Sequence, residues 1–168
     1  LSKNRVMAKE NTVKLSIITV NYNNKEGLLK TIESIKKQTF DDFEFVIIDG
    51  GSTDGSLELI KECPFVDRWV SEEDNGVYPA MNKGIKMATG KYINFMNSGD
   101  EYFSGDVLME LSTLLDSEYD IFYGNTLYYN KNNYRREEIP PADLSFFYLY
   151  HFGINHQASF IKRTLFWD

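Results

Sequence analysis

Three short polar segments hold most of the side chains in this chain that could carry out chemistry. They are residues 21–24, 49–55 and 97–100, and each follows directly after a run of apolar residues. Short, β-branched apolar runs of this kind are typical of buried parallel strands. Ligands of an open parallel α/β sheet bind outside the carboxyl ends of its strands. The spacing therefore predicts that the three segments meet at one edge of a sheet and form a single site.

The third segment ends in Asp100, which is followed by Glu101. A carboxylate at this position could bind Mn²⁺ or Mg²⁺ through its oxygen atoms, and the cation could in turn bind a diphosphate. A cation there would neutralise the charge that develops on a departing nucleoside diphosphate and lower the barrier to transfer. The alternative is that Asp100 caps a helix that begins near residue 106. The metal role is the favoured prediction.

The other two segments offer groups that could recognise a nucleoside. Asp49 ends an otherwise apolar strand, so it is predicted to accept hydrogen bonds from a base or a ribose. Residues 51–55 are interpreted as turn chemistry, with residue 52, 53 or 54 capping the next helix. Tyr22 could stack on a nucleobase, but Asn-rich segments also form turns and helix caps, and both readings stay open here.

The elements that must position these segments alternate along the chain. Apolar residues recur at helical spacing between the strand-like runs, which predicts a mainly parallel, Rossmann-like α/β sheet flanked by helices. The predicted strands are residues 14–20, 43–48, 68–70 and 92–96, and the predicted helices are residues 28–35, 56–62, 77–88 and 106–115.

The pattern weakens beyond residue 116. Residues 121–123 and 126–129 are predicted strands, residues 131–133 resemble a turn, and Pro140 and Pro141 break the chain before an aromatic run at residues 146–152. For residues 146–150 of this stretch, a buried packing role is favoured over membrane contact, because basic companions are absent around them. Residues 1–13 are predicted to be a loose arm and residues 14–168 a single domain, truncated at its C-terminus.

Composition excludes several classes of protein. A net charge of −7 argues against a nucleic-acid polymer as partner. The lone Cys63 and two histidines offer no zinc-site spacing, and no apolar run reaches the roughly 20 residues of a membrane-spanning helix. Residues 84–91 lack the spacing of a phosphate-binding loop, and no dinucleotide fingerprint follows the first strand. A cytoplasmic protein is expected.

The order of the segments resembles glycosyltransferase family 2, in particular bacterial members that build colanic acid and capsular polysaccharide. The segments that carry the resemblance are SIITVNYN at residues 16–23, FVIIDGGSTDGS at 45–56, EEDNGVYPAMNKGI at 72–85, ATGKYINFMNSGD at 88–100 and NHQASF at 155–160. The resemblance implies a GT-A fold that binds a nucleoside-diphosphate sugar, with a UDP-sugar favoured. It also implies transfer with inversion to a glycan or lipid-linked oligosaccharide in surface polysaccharide synthesis, in the cytoplasm or at the inner face of its membrane.

The resemblance also assigns roles to individual residues. It implies that Asp100 is the metal-binding carboxylate and that the donor contacts further residues, which are Val20, Tyr22, Asp49, Asn82, Lys83 and Ser98. It places the general base in a later segment that this sequence does not reach. His156 and Gln157 match a segment near the acceptor side, where a functional role and a packing role both stay open.

The sequence departs from the family at three positions. The acidic motif usually written Asp-Ser-Asp-Asp here reads Asn-Ser-Gly-Asp at residues 97–100, which leaves one carboxylate and predicts weaker metal binding. Gly50 replaces a second Asp after the second strand, and Pro79 replaces an acidic residue. Two alternatives follow: a donor-binding fragment or degenerate enzyme without turnover, and a nucleotidyltransferase. The nucleotidyltransferase would need a basic, glycine-rich loop that residues 21–25 lack.

Overall fold

The computed structural model describes residues 13–129 and 135–167, apart from the side chain of Phe146. Most of the predicted N-terminal arm, residues 1–12, and the predicted turn at residues 131–133 lie outside the described residues. The strands are β1 (Leu15–Asn21), β2 (Phe43–Asp49), β3 (Arg68–Ser71), β4 (Tyr92–Phe95), β5 (Ile121–Tyr123), β6 (Thr126–Tyr129), β7 (Arg135–Glu138) and β8 (Ser159–Lys162). The helices are α1 (Lys25–Lys36), α2 (Ser56–Lys61), α3 (Val77–Met87), α4 (Val107–Ser112) and α5 (Phe146–His151), with 3₁₀ helices at His156–Ala158 and Arg163–Phe166.

A six-stranded sheet forms the centre of the fold, in the order β3-β2-β1-β4-β8-β5. Strands β1 to β4 are parallel, which confirms the prediction of a mainly parallel α/β sheet. Strand β8 was not predicted. It lies antiparallel to both β4 and β5, so the late part of the chain is inserted into the sheet.

Apolar side chains cover both faces of this sheet, because successive residues of a strand point to opposite sides. Ile17 packs in the cluster that holds the buried residues of α1, α2 and α4. Ile18, the next residue, packs in the second cluster, which holds Ala80 and Ile85 of α3. Helix α3 lies close to the sheet, since a Cβ atom on Gly84 would come within 2.5 Å of Ile18 Cγ2. Among the described residues, no helix has the length and apolar character needed to cross a membrane.

The aromatic run near residue 150 is not buried within the described part of the chain. Phe147, Tyr150 and Phe152 are 65%, 75% and 69% exposed. The packing prediction for residues 146–150 is therefore wrong for Phe147 and Tyr150. Helix α5 follows the proline break after β7, and its aromatic rings contact one another: the rings of Tyr148 and Phe152 lie 5.2 Å apart.

Candidate functional site

A row of hydrogen-bonded polar side chains crosses the carboxyl edge of the sheet. Register places Asn21, Asp49 and Ser71 side by side at the ends of β1, β2 and β3. Ser71 Oγ donates to Asp49 Oδ2 at 2.6 Å, Asn21 Nδ2 donates to Asp49 Oδ1 at 2.7 Å, and Ser98 Oγ donates to Asn21 Oδ1 at 2.7 Å. The three segments singled out in the sequence therefore meet at one edge, where the strands were predicted to bring them.

Asp49 is the centre of this row and has no exposed surface. It accepts two further hydrogen bonds from Ser52, one from the backbone nitrogen at 3.0 Å and one from Oγ at 2.5 Å. Burial raises the pKa of Asp49, but the hydrogen bonds from Ser52, Ser71 and Asn21 outweigh burial and lower it. Since a carboxylate offers about four acceptor positions, a base or ribose could bond to Asp49 only by displacing one of these donors.

The first two loops are joined to each other by side chain to backbone hydrogen bonds. Asn23 Oδ1 accepts from Thr53 N at 2.8 Å, and Asp54 Oδ2 accepts from Lys25 N at 2.8 Å. The N-cap position of α2 is Gly55, so none of the three predicted candidates occupies it. Asp54, the residue before it, accepts at Oδ1 from Ser56 N, the first residue of the helix, at 3.1 Å. These bonds hold the loops together before any ligand is present.

Tyr22 and Val20 occupy the surface of the first loop. The ring of Tyr22 is 68% exposed and packs against Gly50, where an added Cβ would lie 3.2 Å from Tyr22 Cδ2. This contact gives a physical reason for the glycine, because a larger residue would push the ring outward. Val20 is half-buried, and its carbonyl accepts from Ser98 N and Ser98 Oγ, both at 3.1 Å.

Asp100 lies in the third loop, in an environment opposite to that of Asp49. Its Oδ2 accepts from Asn97 N at 3.0 Å, and the side chain of Gln157 lies close enough to favour the ionised carboxylate. Burial raises its pKa above the ordinary value, against the opposing effects of Asn97, His156 and Gln157. The Asp100 side chain shows no bond to α4, which begins at Val107, so the helix-cap alternative is wrong.

The backbone of the third loop explains why its motif holds a glycine. Gly99 has φ +106, a conformation that L side chains rarely adopt. Asp100 N donates to Asn97 O at 2.8 Å, which closes a tight turn and returns the carboxylate to Asn97. A carboxylate at position 99 would strain this turn.

Asn94, a buried residue of β4, holds the late segment that contains His156. Asn94 Nδ2 donates to the carbonyl oxygens of His156, Gln157 and Ser159 at 3.3, 3.1 and 2.9 Å. Tyr102 Oη donates to Asn94 Oδ1 at 2.7 Å, which fixes the amide. Asn97 Nδ2 lies 3.0 Å from His156 Nε2, so the imidazole accepts from the amide in its neutral form. Burial lowers the pKa of His156, against the opposing effect of Asp100.

Lys83 lies apart from the row of strand ends. It donates to Asp74 Oδ1 and is 2.7 Å from Glu72 Oε1, and these bonds, that of Asp74 foremost, raise its pKa. Glu72 N donates to Asp49 O at 3.0 Å, which links this ion cluster to the row through the backbone. Asn82 is exposed and borders a shallow pocket with Phe166 and Trp167.

A separate hairpin of β6 and β7 contacts the third loop. Tyr129 Oη donates to Glu101 Oε1 at 2.8 Å, and Tyr128 Oη donates to Asn155 Oδ1 at 2.9 Å. Successive residues of one strand thus bond to the two segments that carry Asp100 and His156. The β6–β7 pair therefore borders the part of the site that holds Asp100.

The described residues contain no group of three or more His, Cys, Asp or Glu side chains that could hold a metal ion. A metal that binds here would need oxygen ligands of another kind beside Asp100. The Asn97 Oδ1 and Gln157 Oε1 atoms are buried and have no hydrogen-bond partner. Because carboxylate and amide oxygens are ligands of Mg²⁺ and Mn²⁺, this corner of the site fits a divalent cation.

Sequence reasoning did not select several residues that the fold brings to Asp100. Asn94 was interpreted only as part of a buried strand, and no role was chosen for His156 or Gln157. A polar residue inside an apolar strand is a signal that could have identified Asn94, because a buried amide needs partners. The partners of Asn94 lie far along the chain, so the local sequence does not identify them.

Two solved structures resemble this chain. The mannosyltransferase PcManGT from Pyrobaculum calidifontis, solved with GDP-Man and Mn²⁺, matches with a TM-score of 0.67 and 17% identity over 95% of this chain and 48% of that one. Residues 1–349 of S. aureus TarS, solved with UDP, match with a TM-score of 0.56 and 27% identity over 64% of this chain and 34% of that one. The fold is therefore the GT-A fold of glycosyltransferases.

The sequence comparisons define the family. The family described as Glycosyl transferase family 2 matches residues 16–165, and the chain belongs to this family. A glycosyltransferase of PGL/p-HBAD biosynthesis from Mycobacterium bovis (strain BCG / Pasteur 1173P2) is 32% identical over 160 residues, which cover 90% of this chain and 60% of the relative. The chain thus spans about 60% of the length of that mycobacterial protein.

Proposed function

We propose that this chain binds a nucleoside-diphosphate sugar, most favourably a UDP-sugar, and transfers the sugar with inversion to a glycan or lipid-linked oligosaccharide. The single observation that supports this function is the meeting of three loops at one sheet edge, with the Asp100 carboxylate beside them and only partly hydrogen-bonded. The complex of TarS with UDP favours uridine as the base.

In this proposal the donor lies across the loops that follow β1, β2 and β4. Tyr22 stacks on the base, and Ser98 and the backbone of Val20 line the pocket beside the row. Asp49 contributes by holding Asn21, Ser52 and Ser71 in place. Asn82 and Lys83 approach the donor from α3, and the charge of Lys83 suits a phosphate, provided that it leaves Asp74 or Glu72.

The chemistry is a displacement at the anomeric carbon of the sugar. Asp100 would hold a Mn²⁺ or Mg²⁺ ion, which when bound neutralises the charge that develops on the leaving diphosphate. The loops hold the donor so that the acceptor hydroxyl attacks in line, on the face opposite the diphosphate. The residue that takes the proton of this hydroxyl is assigned to no position of this chain.

We place this reaction in the synthesis of a bacterial surface polysaccharide. The nucleotide donor favours a cytoplasmic site, at the inner face of the membrane when the acceptor is lipid-linked. The exposed side chains Phe147 and Phe152 would lie against the membrane surface in a peripheral contact.

Binding calorimetry tests the donor site. UDP, GDP and CDP are titrated with and without Mn²⁺ into the wild type, Asp100→Asn and Asp116→Asn. Asp116 is an exposed carboxylate paired with Lys14, so its variant removes the same charge away from the site. We expect Mn²⁺ to strengthen UDP binding roughly tenfold or more, and only Asp100→Asn to lose this gain. An unchanged gain in Asp100→Asn would overturn the assignment of Asp100.

A donor-binding unit without turnover is the second candidate. The observation that favours it is the motif at residues 97–100, which keeps a single carboxylate, Asp100. An assay of UDP-sugar hydrolysis distinguishes an enzyme from a donor-binding unit. It compares this chain with a longer chain that spans the full length of its relatives. Turnover by the longer chain alone identifies this chain as the donor-binding part of an enzyme.

A further inference from the structure

Asp100 alone is a poor site for a divalent cation. Mg²⁺ prefers six oxygen ligands, and donor phosphates with water supply only some of them. The motif at residues 97–100 has lost the other carboxylates that the family carries there. Other protein oxygens must compensate if the cation is to bind as the proposed function requires.

Two buried amide oxygens in the same cluster have no partner. They are Asn97 Oδ1 and Gln157 Oε1. A buried acceptor without a hydrogen bond costs on the order of 1–3 kcal/mol, so such atoms are rare in folded proteins. Two of them beside a partly bonded carboxylate indicate that this corner of the site receives a ligand that oxygen atoms bind.

The surroundings of the two amides leave their oxygens without a partner. Asn97 Nδ2 lies 3.0 Å from His156 Nε2, which directs the amide nitrogen of Asn97 at the imidazole. The side chain of Gln157 lies close enough to Asp100 to lower the pKa of that carboxylate. The Oδ1 atom of Asn97 and the Oε1 atom of Gln157 remain unpaired. Unpaired oxygens next to a carboxylate repel an anion and attract a cation.

Hydrogen bonds within the fold hold the Asn97 and Gln157 segments in place. Asn94, which is fully buried in β4, donates to the carbonyls of His156 and Gln157 and thereby anchors the late segment beneath the third loop. The loop itself is fixed by the turn from Asn97 to Asp100. These hydrogen bonds therefore set the positions of the segments that carry Asn97 and Gln157.

We infer that Asn97 Oδ1 and Gln157 Oε1 join the Asp100 carboxylate as ligands of the divalent cation, in place of the acidic residues missing from residues 97–100. His156 is a positioning residue that orients the Asn97 amide. This inference rests on the proposed function, because the cation is the one that holds the donor diphosphate. It adds two ligands that no carboxylate motif would reveal.

Direct Mn²⁺ binding in the presence of UDP, followed by the electron paramagnetic resonance signal of free Mn²⁺, tests the inference. Gln157→Met removes the oxygen and keeps the length of the side chain, and Asn97→Ala removes the second oxygen. We expect each to weaken Mn²⁺ binding about tenfold or more. Gln38→Met is the matched control, because Gln38 bonds to Ser104 O and Leu108 N away from the site. It should leave Mn²⁺ affinity unchanged.

Gln157→Glu separates a ligand from a mere support of Asp100. The negative charge of a glutamate attracts the cation whether or not it is a ligand, so the comparison uses the number of water molecules on bound Mn²⁺, counted by electron nuclear double resonance. If Gln157 is a ligand, Gln157→Met should gain one bound water and Gln157→Glu should keep the count of the wild type. An unchanged water count in Gln157→Met overturns the inference.

The result also separates this inference from the proposed function. Absence of Mn²⁺-dependent UDP binding in the wild type contradicts the metal role in the proposed function. Binding that Asp100→Asn abolishes, but that Gln157→Met and Asn97→Ala retain, supports the proposed function and overturns the two added ligands. A Tm measured without metal for each variant shows that the comparison is made on folded protein.

Discussion

Asp49 and Asp100 follow strands of the same sheet and lie at the same edge, yet their carboxylates have opposite surroundings. Asp49 is fully buried and accepts four hydrogen bonds, from Asn21, Ser71 and twice from Ser52. Asp100 is only partly buried, accepts one hydrogen bond from the backbone of Asn97, and has the unpaired amide oxygens of Asn97 and Gln157 nearby. The pKa of Asp49 is lowered by its donors, whereas burial raises the pKa of Asp100.

The difference distinguishes a carboxylate that builds a site from one that is available to a ligand. A carboxylate whose acceptor positions are filled by its own chain stabilises the folded loops. One with free positions and a raised pKa gains most when a cation arrives. Under the proposed function, Asp49 supports the shape of the donor pocket and Asp100 contributes to its chemistry.

Glu44 extends the comparison to the opposite edge of the sheet. It lies near the start of β2, the strand that Asp49 ends, and is almost fully buried. Ser16 Oγ donates to Glu44 Oε1 at 2.6 Å, and Thr89 N and Oγ1 donate to the same oxygen at 2.5 and 2.9 Å. One strand therefore carries a hydrogen-bonded carboxylate near each end, and both belong to the framework.

Asp49→Asn should give the largest effect on stability. The amide replaces an acceptor oxygen by a donor nitrogen, so buried donors of Ser52 or Ser71 lose their partner. We expect a loss of roughly 2–4 kcal/mol in the free energy of unfolding, measured by urea denaturation near neutral pH. A loss below about 1 kcal/mol, the typical value of one ordinary hydrogen bond, would contradict the claim that Asp49 stabilises the folded loops.

Acid should produce a smaller loss through the same carboxylates. The folded pKa values of Asp49 and Glu44 lie below their ordinary values of 3.8 and 4.5. Their stabilisation is therefore present above those ordinary values and is lost as the pH falls through the lower folded values. Urea midpoints between about pH 7 and pH 3 should show the difference between wild type and Asp49→Asn shrinking below pH 3.8. A difference that stays constant with pH would contradict this role of the charge.

Asp100→Asn should give the smallest effect on stability, with the opposite sign. Because burial raises the folded pKa of Asp100, its contribution to stability is greatest when it is protonated and is lost as the pH rises through that folded pKa. The neutral amide should leave the metal-free protein as stable as the wild type at neutral pH or raise its Tm by a few degrees. A destabilisation as large as that of Asp49→Asn would show that both carboxylates belong to the framework.

Much of the fold could be predicted from local sequence patterns. The parallel strands, their helices and the two later strands at residues 121–123 and 126–129 all occur where the apolar pattern predicted them. Helix α4 is shorter than predicted, since it ends at Ser112. Strand β8 was missed because its four residues have no distinctive pattern and gain their pairing only from β4 and β5.

The candidate site divides in the same way. The residue types and their places at strand ends indicated one polar edge, because side chains at the carboxyl ends of parallel strands must meet there. Sequence could not tell that Asp49 is enclosed by its own donors, since Ser71 lies 22 positions away. Nor could it bring His156 to Asn97, which are 59 positions apart.

By itself, the sequence determined the α/β architecture, the edge at which chemistry can occur and the membership in glycosyltransferase family 2, because these follow from periodicity and from ordered local motifs. Tertiary structure alone decided which carboxylate is enclosed, which one is available to a cation, and which amide oxygens lie beside it. The physical reason is that the state of a polar group depends on the donors and acceptors that surround it, and long-range packing brings those groups together.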